Sequence, residues 1–197
     1  MADYWNHNSA YHPRLIPIAA QHCGDVLDVG CGEGLLAQRL APVSQSVVAI
    51  DPDPAAVRRA RDRLSAEPNV TVAQVGFDAF DAGDSRFDLI TFVASLHHMD
   101  LRESLVKARQ LVRPSGEIAA VGLSANKTPG DWLWSAACLP AVRIGSWLHA
   151  ETRDIGVPVT EARESLDEIR RITDEALPGA VLRRGLYYRY LLRWRKP

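Results

Sequence analysis

The sequence predicts an α/β protein: a doubly wound, mostly parallel sheet of seven strands, with an antiparallel strand supplied by a C-terminal hairpin. Three observations predict it. Short apolar runs alternate with helical stretches from residue 26 onward, a glycine-rich turn, VGCGEG, closes the first run, and the chain ends on two consecutive strand-like segments. The 197 residues suit a single domain spanning 1-197 with a good core. With 47% hydrophobic and 24% charged residues and a net charge of -1, the chain carries no block of like charge of the kind that binds nucleic acid. No apolar run is long enough to cross a bilayer, and the start MADYWNHNSAY lacks the basic and apolar parts of a signal peptide, so the expectation is a cytoplasmic protein without a membrane partner.

The first strand is Val26, Leu27, Asp28 and Val29, and the turn after it carries glycine at alternate positions, Gly30, Gly32 and Gly34. Leu35, Leu36, Ala37 and Leu40 then follow at helical spacing. Glycine lets the backbone adopt positive φ and lets a ligand lie directly on the main chain. A dinucleotide fingerprint needs G-x-G-x-x-G, but the sixth position from Gly30 is Leu35; the pattern here is D-x-G-x-G-x-G. Asp28 repels a phosphate and attracts a cation. The next strand, Val47 to Ile50, ends on Asp51, with Pro52 and Asp53 behind it. A carboxylate at that strand tip accepts both hydroxyls of a ribose.

Asp28, the glycine rhythm and Asp51 together resemble the opening motifs of the class I S-adenosylmethionine-dependent methyltransferases, small-molecule type (methyltransferase domain 11/25-like). The resemblance implies a Rossmann-like fold, S-adenosyl-L-methionine as cofactor with S-adenosyl-L-homocysteine as product, and no metal. It places Asp28, Gly30, Cys31, Gly32, Gly34, Asp51 and Pro52 against the cofactor. The sulfonium and ammonium of that ligand, where a dinucleotide has its pyrophosphate, suit the charge of Asp28.

The remaining elements follow in order. Tyr4, Trp5, Tyr11 and His12 precede Pro13 and the apolar stretch Leu15 to Ala20; segment 1-22 is either helical packing on the domain or a lid, and in the lid reading the resemblance assigns Tyr11 to the cofactor. Pro54 to Glu67 is an amphipathic helix with Ala56, Val57, Ala60 and Leu64 on one face and arginines elsewhere, ended by Pro68 and Asn69. Val70 to Val75 is the third strand; just past it the resemblance puts Phe77 and Asp78 on the adenine, although spacing counted back from Phe87 lands on Gly76. Phe87 to Val93 is the fourth strand, and Ala94 after it touches the cofactor in related sequences.

His97 is then the candidate basic group facing the acceptor, with backbone hydrogen bonding as its structural alternative. Its neighbour His98 is a candidate acceptor contact; on an extended chain the two point to opposite faces, so a shared metal is not expected. Asp100 and Glu103 form a capping box for a helix with Leu101, Leu105, Ala108 and Leu111 on its apolar stripe. Arg113 to Gly116 stop it, and Glu117 to Leu123 is the fifth strand, a stretch similar to the R-P-G-G turn of the methyltransferases with Ser115 in place of the first glycine.

From 124 to 160 the rhythm breaks into an aromatic stretch read as one or two short helices. It is a helical insertion covering the acceptor, with Trp132, Trp134 and His149 as contacts, or else a satellite core or dimer contact. A helix from Glu161 to Ala176 and strands Val181 to Leu186 and Tyr187 to Trp194 close the chain. Basic residues alternate with aromatics there, a pattern of an edge hairpin more than of an RNA surface. Cys23, Cys31 and Cys138 are scattered and match neither a disulfide framework nor a zinc pattern.

The function expected from the resemblance is in-line methyl transfer to a small, apolar or aromatic metabolite by a monomer or homodimer. A sulfonium that loses its charge on methyl transfer needs alignment and a suitable environment rather than a covalent nucleophile, and His97 serves as base where the acceptor must lose a proton. The alternatives are a non-catalytic S-adenosylmethionine-binding assembly protein, and an RNA or protein methyltransferase with a basic groove.

Overall fold

The computed structural model describes residues 4–149 and 162–197. Its strands are β1 (Asp25–Val29), β2 (Ser46–Asp51), β3 (Val70–Gln74), β4 (Phe87–Val93), β5 (Val112–Leu123), β6 (Val181–Arg184) and β7 (Arg189–Arg195). They form one 7-stranded sheet in the order β3-β2-β1-β4-β5-β7-β6. β1 to β5 pair in parallel, and β7 runs antiparallel between β5 and β6, as the C-terminal hairpin leads one to expect. The helices are α1 (His12–His22), α2 (Leu35–Leu40), α3 (Pro54–Arg63), α4 (Leu101–Leu111), α5 (Pro129–Leu148) and α6 (Leu166–Ala176).

The side-chain alternation of the strands splits the core into two layers. Val26, Val47, Leu89 and Val121 face α1, α2 and α3, where Leu15, Ile18, Leu36, Leu40, Ala60 and Leu64 meet them. The intervening residues Leu27, Ile50, Ile90 and Ile118 face α4 and α6, against Leu105, Ala108, Leu166 and Ile169. Leu27 and Ile90 are fully buried, and such a side chain contributes about 1.5–3 kcal/mol by leaving water. Because the chain builds outward from β1 to β3 and then returns to set β4 on the other side of β1, a crevice opens beyond the carboxyl ends of β1 and β4. Gly30 and Ala94 stand at its two sides.

Several boundaries differ from the sequence reading. Stretch 124–160 holds, up to residue 149, one 20-residue helix rather than short ones; its start is fixed by a reciprocal capping box between Thr128 and Asp131, and it carries Pro140 inside. Residues 150–160, like residue 161 at the expected start of the last helix and residues 1–3 of the N-terminal segment, lie outside the described residues. α6 begins at Leu166, after a Ser165–Glu168 capping box. At α4 only the Asp100 half of the expected box forms, its carboxylate accepting from the Glu103 N–H at 2.8 Å.

The R-P-S-G turn is not a break before β5 but a bulged entry to it. The pairing with β4 shifts register between Phe87 and Leu89, and Ser115 takes φ +61. α3 stops at Arg63, four residues early, where Leu64 leaves helical geometry. His97 and His98 lie in a 3-10 turn, Leu96–His98, not on extended chain, so their rings tilt together with centroids 4.1 Å apart instead of facing away from each other. No described helix is long and apolar enough to cross a membrane.

Candidate active site

The glycine turn is held by its own backbone. Gly30 and Cys31 N–H both donate to the Ile50 carbonyl, at 2.9 and 3.0 Å, and Gly34 N–H donates to the Cys31 carbonyl. Gly30, Gly32 and Gly34 have φ of +71, +56 and +84, the left-handed region that favours glycine. At Gly30 space is exhausted as well, since a Cβ would stand 2.4 Å from the Ser95 Cβ. Ser95 in turn donates to the Val29 carbonyl at 2.7 Å, tying the end of β4 to the end of β1.

Asp51 closes the turn from β2. One carboxylate oxygen accepts from the Gly32 N–H and the other from the Asp53 N–H, both at 2.9 Å. Each oxygen keeps a lone pair for a further donor. Ala94, across the crevice, sits at φ +52 with its N–H on the Val121 carbonyl at 2.7 Å, a strained backbone position for a residue with a Cβ.

Asp28 is 1% exposed. Its Oδ1 accepts from the Thr91 hydroxyl at 2.8 Å, while Oδ2 is buried without a hydrogen-bond partner. Burial pushes its pKa up to about 7; the Thr91 bond works against that and the nearby Asp51 charge adds to it. An orphaned carboxylate oxygen in such a place is costly unless a donor or cation meets it. Burial, with Asp28 and Asp51 adding to it, also pushes the Cys31 thiol well up, so it stays protonated and is no nucleophile.

Two cavities flank the turn. One, of about 810 Å³, is lined by Asp28, Cys31, Gly32, His97, the N-terminal residues Tyr4 and Asn6 to Ser9, and the α5 residues Val142, Arg143, Ser146 and Trp147. The other, of about 910 Å³, is lined by Asp51, Pro52, Gly76, Phe77, Asp78 and the start of α4. Gly30, Ala94 and His98 line both, so the two join at the carboxyl ends of β1 and β4. In the second cavity Phe77 packs edge-on against Phe92 at 5.4 Å, and Lys107 lies 5.3 Å from the Phe77 ring while donating to the Asp78 carbonyl at 2.9 Å. Burial pushes the His98 pKa down, with Asp51 pulling the other way.

Of the residues singled out from sequence, Asp28, Gly30, Cys31, Gly32, Asp51, Pro52, Phe77, Asp78, Ala94, His97 and His98 are brought together on these walls. Others are not. Gly34 faces Leu64 instead, where a Cβ would stand 2.8 Å from the Leu64 side chain. Tyr11 is buried in the core and its hydroxyl accepts from the Leu186 N–H at 2.9 Å, pinning the β6–β7 turn. Trp132 points to solvent, 64% exposed. Trp134 donates to the Gly185 carbonyl at 3.3 Å beneath the Arg184 guanidinium, and His149 stacks on Trp5 at 4.6 Å. Among the described residues no cluster of His, Cys, Asp or Glu could hold a metal ion.

As wall residues of the first cavity, sequence reasoning missed Tyr4, Asn8, Glu33, the turn residues Tyr187 and Tyr188, and Arg189 at the start of β7. Glu33 pairs with Arg63 at 2.9 Å and hydrogen-bonds Tyr4, whose pKa burial and that carboxylate push well up. Glu33 carried a signal, a charged residue between two turn glycines, and Tyr4 belonged to the aromatic N-terminal segment; the others gave none, because only the tertiary fold brings the chain ends together.

Comparison with known proteins agrees with this geometry. Residues 26–116 match the sequence family described as a methyltransferase domain. An uncharacterized methyltransferase of Mycobacterium tuberculosis is 36% identical over 201 residues, spanning 98% of this chain and 98% of its own. A ubiquinone biosynthesis O-methyltransferase of Alkalilimnicola ehrlichii is 35% identical over 113 residues, 56% of this chain and 45% of its own. The structure of the N-methyltransferase NodS from Bradyrhizobium japonicum with S-adenosyl-L-homocysteine superimposes with a TM-score of 0.66 at 21% identity, covering 98% of this chain and 89% of that one. At that identity the likeness concerns the fold. The glycine turn between Asp28 and Asp51, the strand order and a relative similar over nearly its whole length converge: the chain belongs to the class I S-adenosylmethionine-dependent methyltransferases.

Proposed function

We propose that the protein methylates a small molecule with an apolar or aromatic body, taking it into the 810 Å³ cavity while the adenosyl end of the cofactor occupies the 910 Å³ one. The observation that carries this reading is the junction of the two cavities at Gly30, Ala94 and His98, with the orphaned oxygen of Asp28 on the wall of the first. The residues fit the cofactor: Asp51 faces the ribose hydroxyls, Phe77 and Asp78 the adenine, Cys31 and Gly32 the main-chain path, and Asp28 the ammonium. When bound, S-adenosyl-L-methionine supplies an electrophilic methyl on a sulfonium.

The chain's own part is alignment and the control of charge and water. Tyr4 to Ser9 and α5 act as covers over the acceptor, which approaches in line from the first cavity. His97, buried on that wall, takes the proton of a hydroxyl or amine acceptor. Calorimetric titration with S-adenosyl-L-methionine, S-adenosyl-L-homocysteine and NAD tests the cofactor assignment, with binding of the first two alone expected. Transfer of labelled methyl to a panel of phenols, aryl amines and thiols then tests the acceptor. Transfer to RNA or protein but to no small molecule would overturn the small-molecule reading.

A further inference from the structure

The first cavity is polarised, and its far end carries a buried cation. Arg189 opens β7, opposite Leu123 at the end of β5, and is 8% exposed. Its Nε and Nη2 both donate to the Asn8 amide oxygen, at 3.1 and 3.0 Å, and its guanidinium lies 5.0 Å from the Tyr188 ring centre. No described residue accepts from its Nη1, and it makes no ion pair with any described carboxylate.

Neighbouring arginines behave otherwise: Arg184 pairs with Asp131, Arg193 with Glu117 and Arg63 with Glu33. A guanidinium taken out of water against a neutral amide alone keeps an uncompensated charge, unless something entering the cavity supplies the anion. Arg143 of α5 lines the same cavity but is exposed, so its charge stays in water. The carboxylates on this wall, Asp28 and Glu33, lie at the glycine turn, and Glu33 is already paired. Arg189 starts three strands away from Asp28, through β4 and β5 to β7, about 14 Å at ~4.8 Å per strand. Leu123, opposite Arg189, and the preceding Tyr187 and Tyr188 give that end apolar and aromatic surface, and Val142 and Trp147 of α5 line the same cavity.

We propose that Arg189 is an anion subsite for the methyl acceptor, which is therefore an organic acid: an apolar or aromatic body carrying a carboxylate that the Nη1 side of Arg189 receives. The inference rests on methyl transfer to a small molecule and names the class of that molecule. A cation at the cofactor end and an anion at the acceptor end match the two charges of the cavity wall.

The test uses the full-length protein saturated with S-adenosyl-L-homocysteine, titrated calorimetrically with 4-hydroxybenzoate and octanoate and with the corresponding neutral amides. Each acid is expected to bind about tenfold or more tightly than its amide, the gain from a charge-assisted hydrogen bond. Arg189→Met brings the ratio to about one, Arg189→Lys retains part of it, and S-adenosyl-L-homocysteine affinity stays unchanged in both. Equal binding of acid and amide, no binding of either acid, or a preference that survives Arg189→Met overturns the subsite. Loss of S-adenosyl-L-homocysteine affinity in Arg189→Met overturns it too, by assigning the arginine to the cofactor's own carboxylate. If the methionine variant does not fold, the acid-to-amide ratio of the unmodified protein and of Arg189→Lys decides. Failure of the unmodified protein to bind S-adenosyl-L-homocysteine would instead strike the methyl-transfer reading itself.

Discussion

Replacing Asp28 by asparagine should make the ligand-free protein more stable and the cofactor complex weaker, two effects of opposite sign from one atom. In the folded chain burial raises the Asp28 pKa from its ordinary 3.8 to about 7. Between those two values the unfolded chain has lost the proton and the folded chain still holds it. Stability therefore falls as pH rises through that window and levels off above it. At 1.36 kcal/mol per pH unit the full penalty is about 4 kcal/mol, of which about 2.5 kcal/mol develops between pH 5 and pH 8. Asparagine keeps an acceptor for the Thr91 hydroxyl and puts an amide nitrogen at the orphaned oxygen's place, so the shape is retained.

Urea denaturation at pH 5 and pH 8 reads the first effect. The advantage of Asp28→Asn over the parent should be larger at pH 8 by about 2.5 kcal/mol, within a factor of two. Calorimetry reads the second: S-adenosyl-L-methionine should bind about ten to a hundredfold more weakly, the worth of a charged hydrogen bond, and in the parent its affinity should decline below pH 7 as Asp28 takes up a proton. A stability difference that is flat with pH, or an unaltered affinity, would refute the assignment of Asp28 as the buried anion that meets the cofactor's cation.

Gly30→Ala forces a Cβ to 2.4 Å from Ser95 at φ +71; stability should drop by about 1–3 kcal/mol in denaturation, with cofactor binding lost, and a stable variant of normal affinity would contradict the tight turn. Asp51→Ala should cost roughly 1–3 kcal/mol of cofactor affinity by calorimetry, since the ribose loses its acceptor and the Gly32 and Asp53 N–H groups lose theirs; intact binding moves the ribose contact elsewhere. His97→Ala should leave S-adenosyl-L-homocysteine affinity near normal and lower turnover by about 10²–10⁴-fold when the acceptor must be deprotonated, and an unchanged rate removes His97 from the chemistry.

The glycine turn and the carboxylates beside it were readable because their determinants are local. The backbone of the turn demands glycine at Gly30 and Gly32, and Asp28 and Asp51 occupy fixed places relative to strand ends that apolar patterning locates. The far wall of the first cavity resisted for a geometric reason. Which face of α5 meets the cavity depends on how the helix docks, and the docked face carries Val142, Ser146 and Trp147, leaving Trp132 outside. Tyr11 matched a pattern of cofactor covers, yet its hydroxyl meets the Leu186 N–H, so Tyr4 and Asn8 line the cavity in its stead. Arg189 read as strand alternation, which it also is; its burial against Asn8 appears only once residues 181 positions apart are in contact.

The bonds from Tyr11 to Leu186 and from Asn8 to Arg189 span 175 and 181 positions of the chain. The walls of the 910 Å³ cavity, by contrast, are drawn from residues 29 to 110. During synthesis the wall of that cavity thus leaves the ribosome as one continuous stretch, while the 810 Å³ cavity waits for the last strand and is closed across nearly the whole length of the chain. The same separation gives inheritance a handle: changes at Asn8 or Arg189 can reshape the far wall of the first cavity and leave every residue of the second untouched.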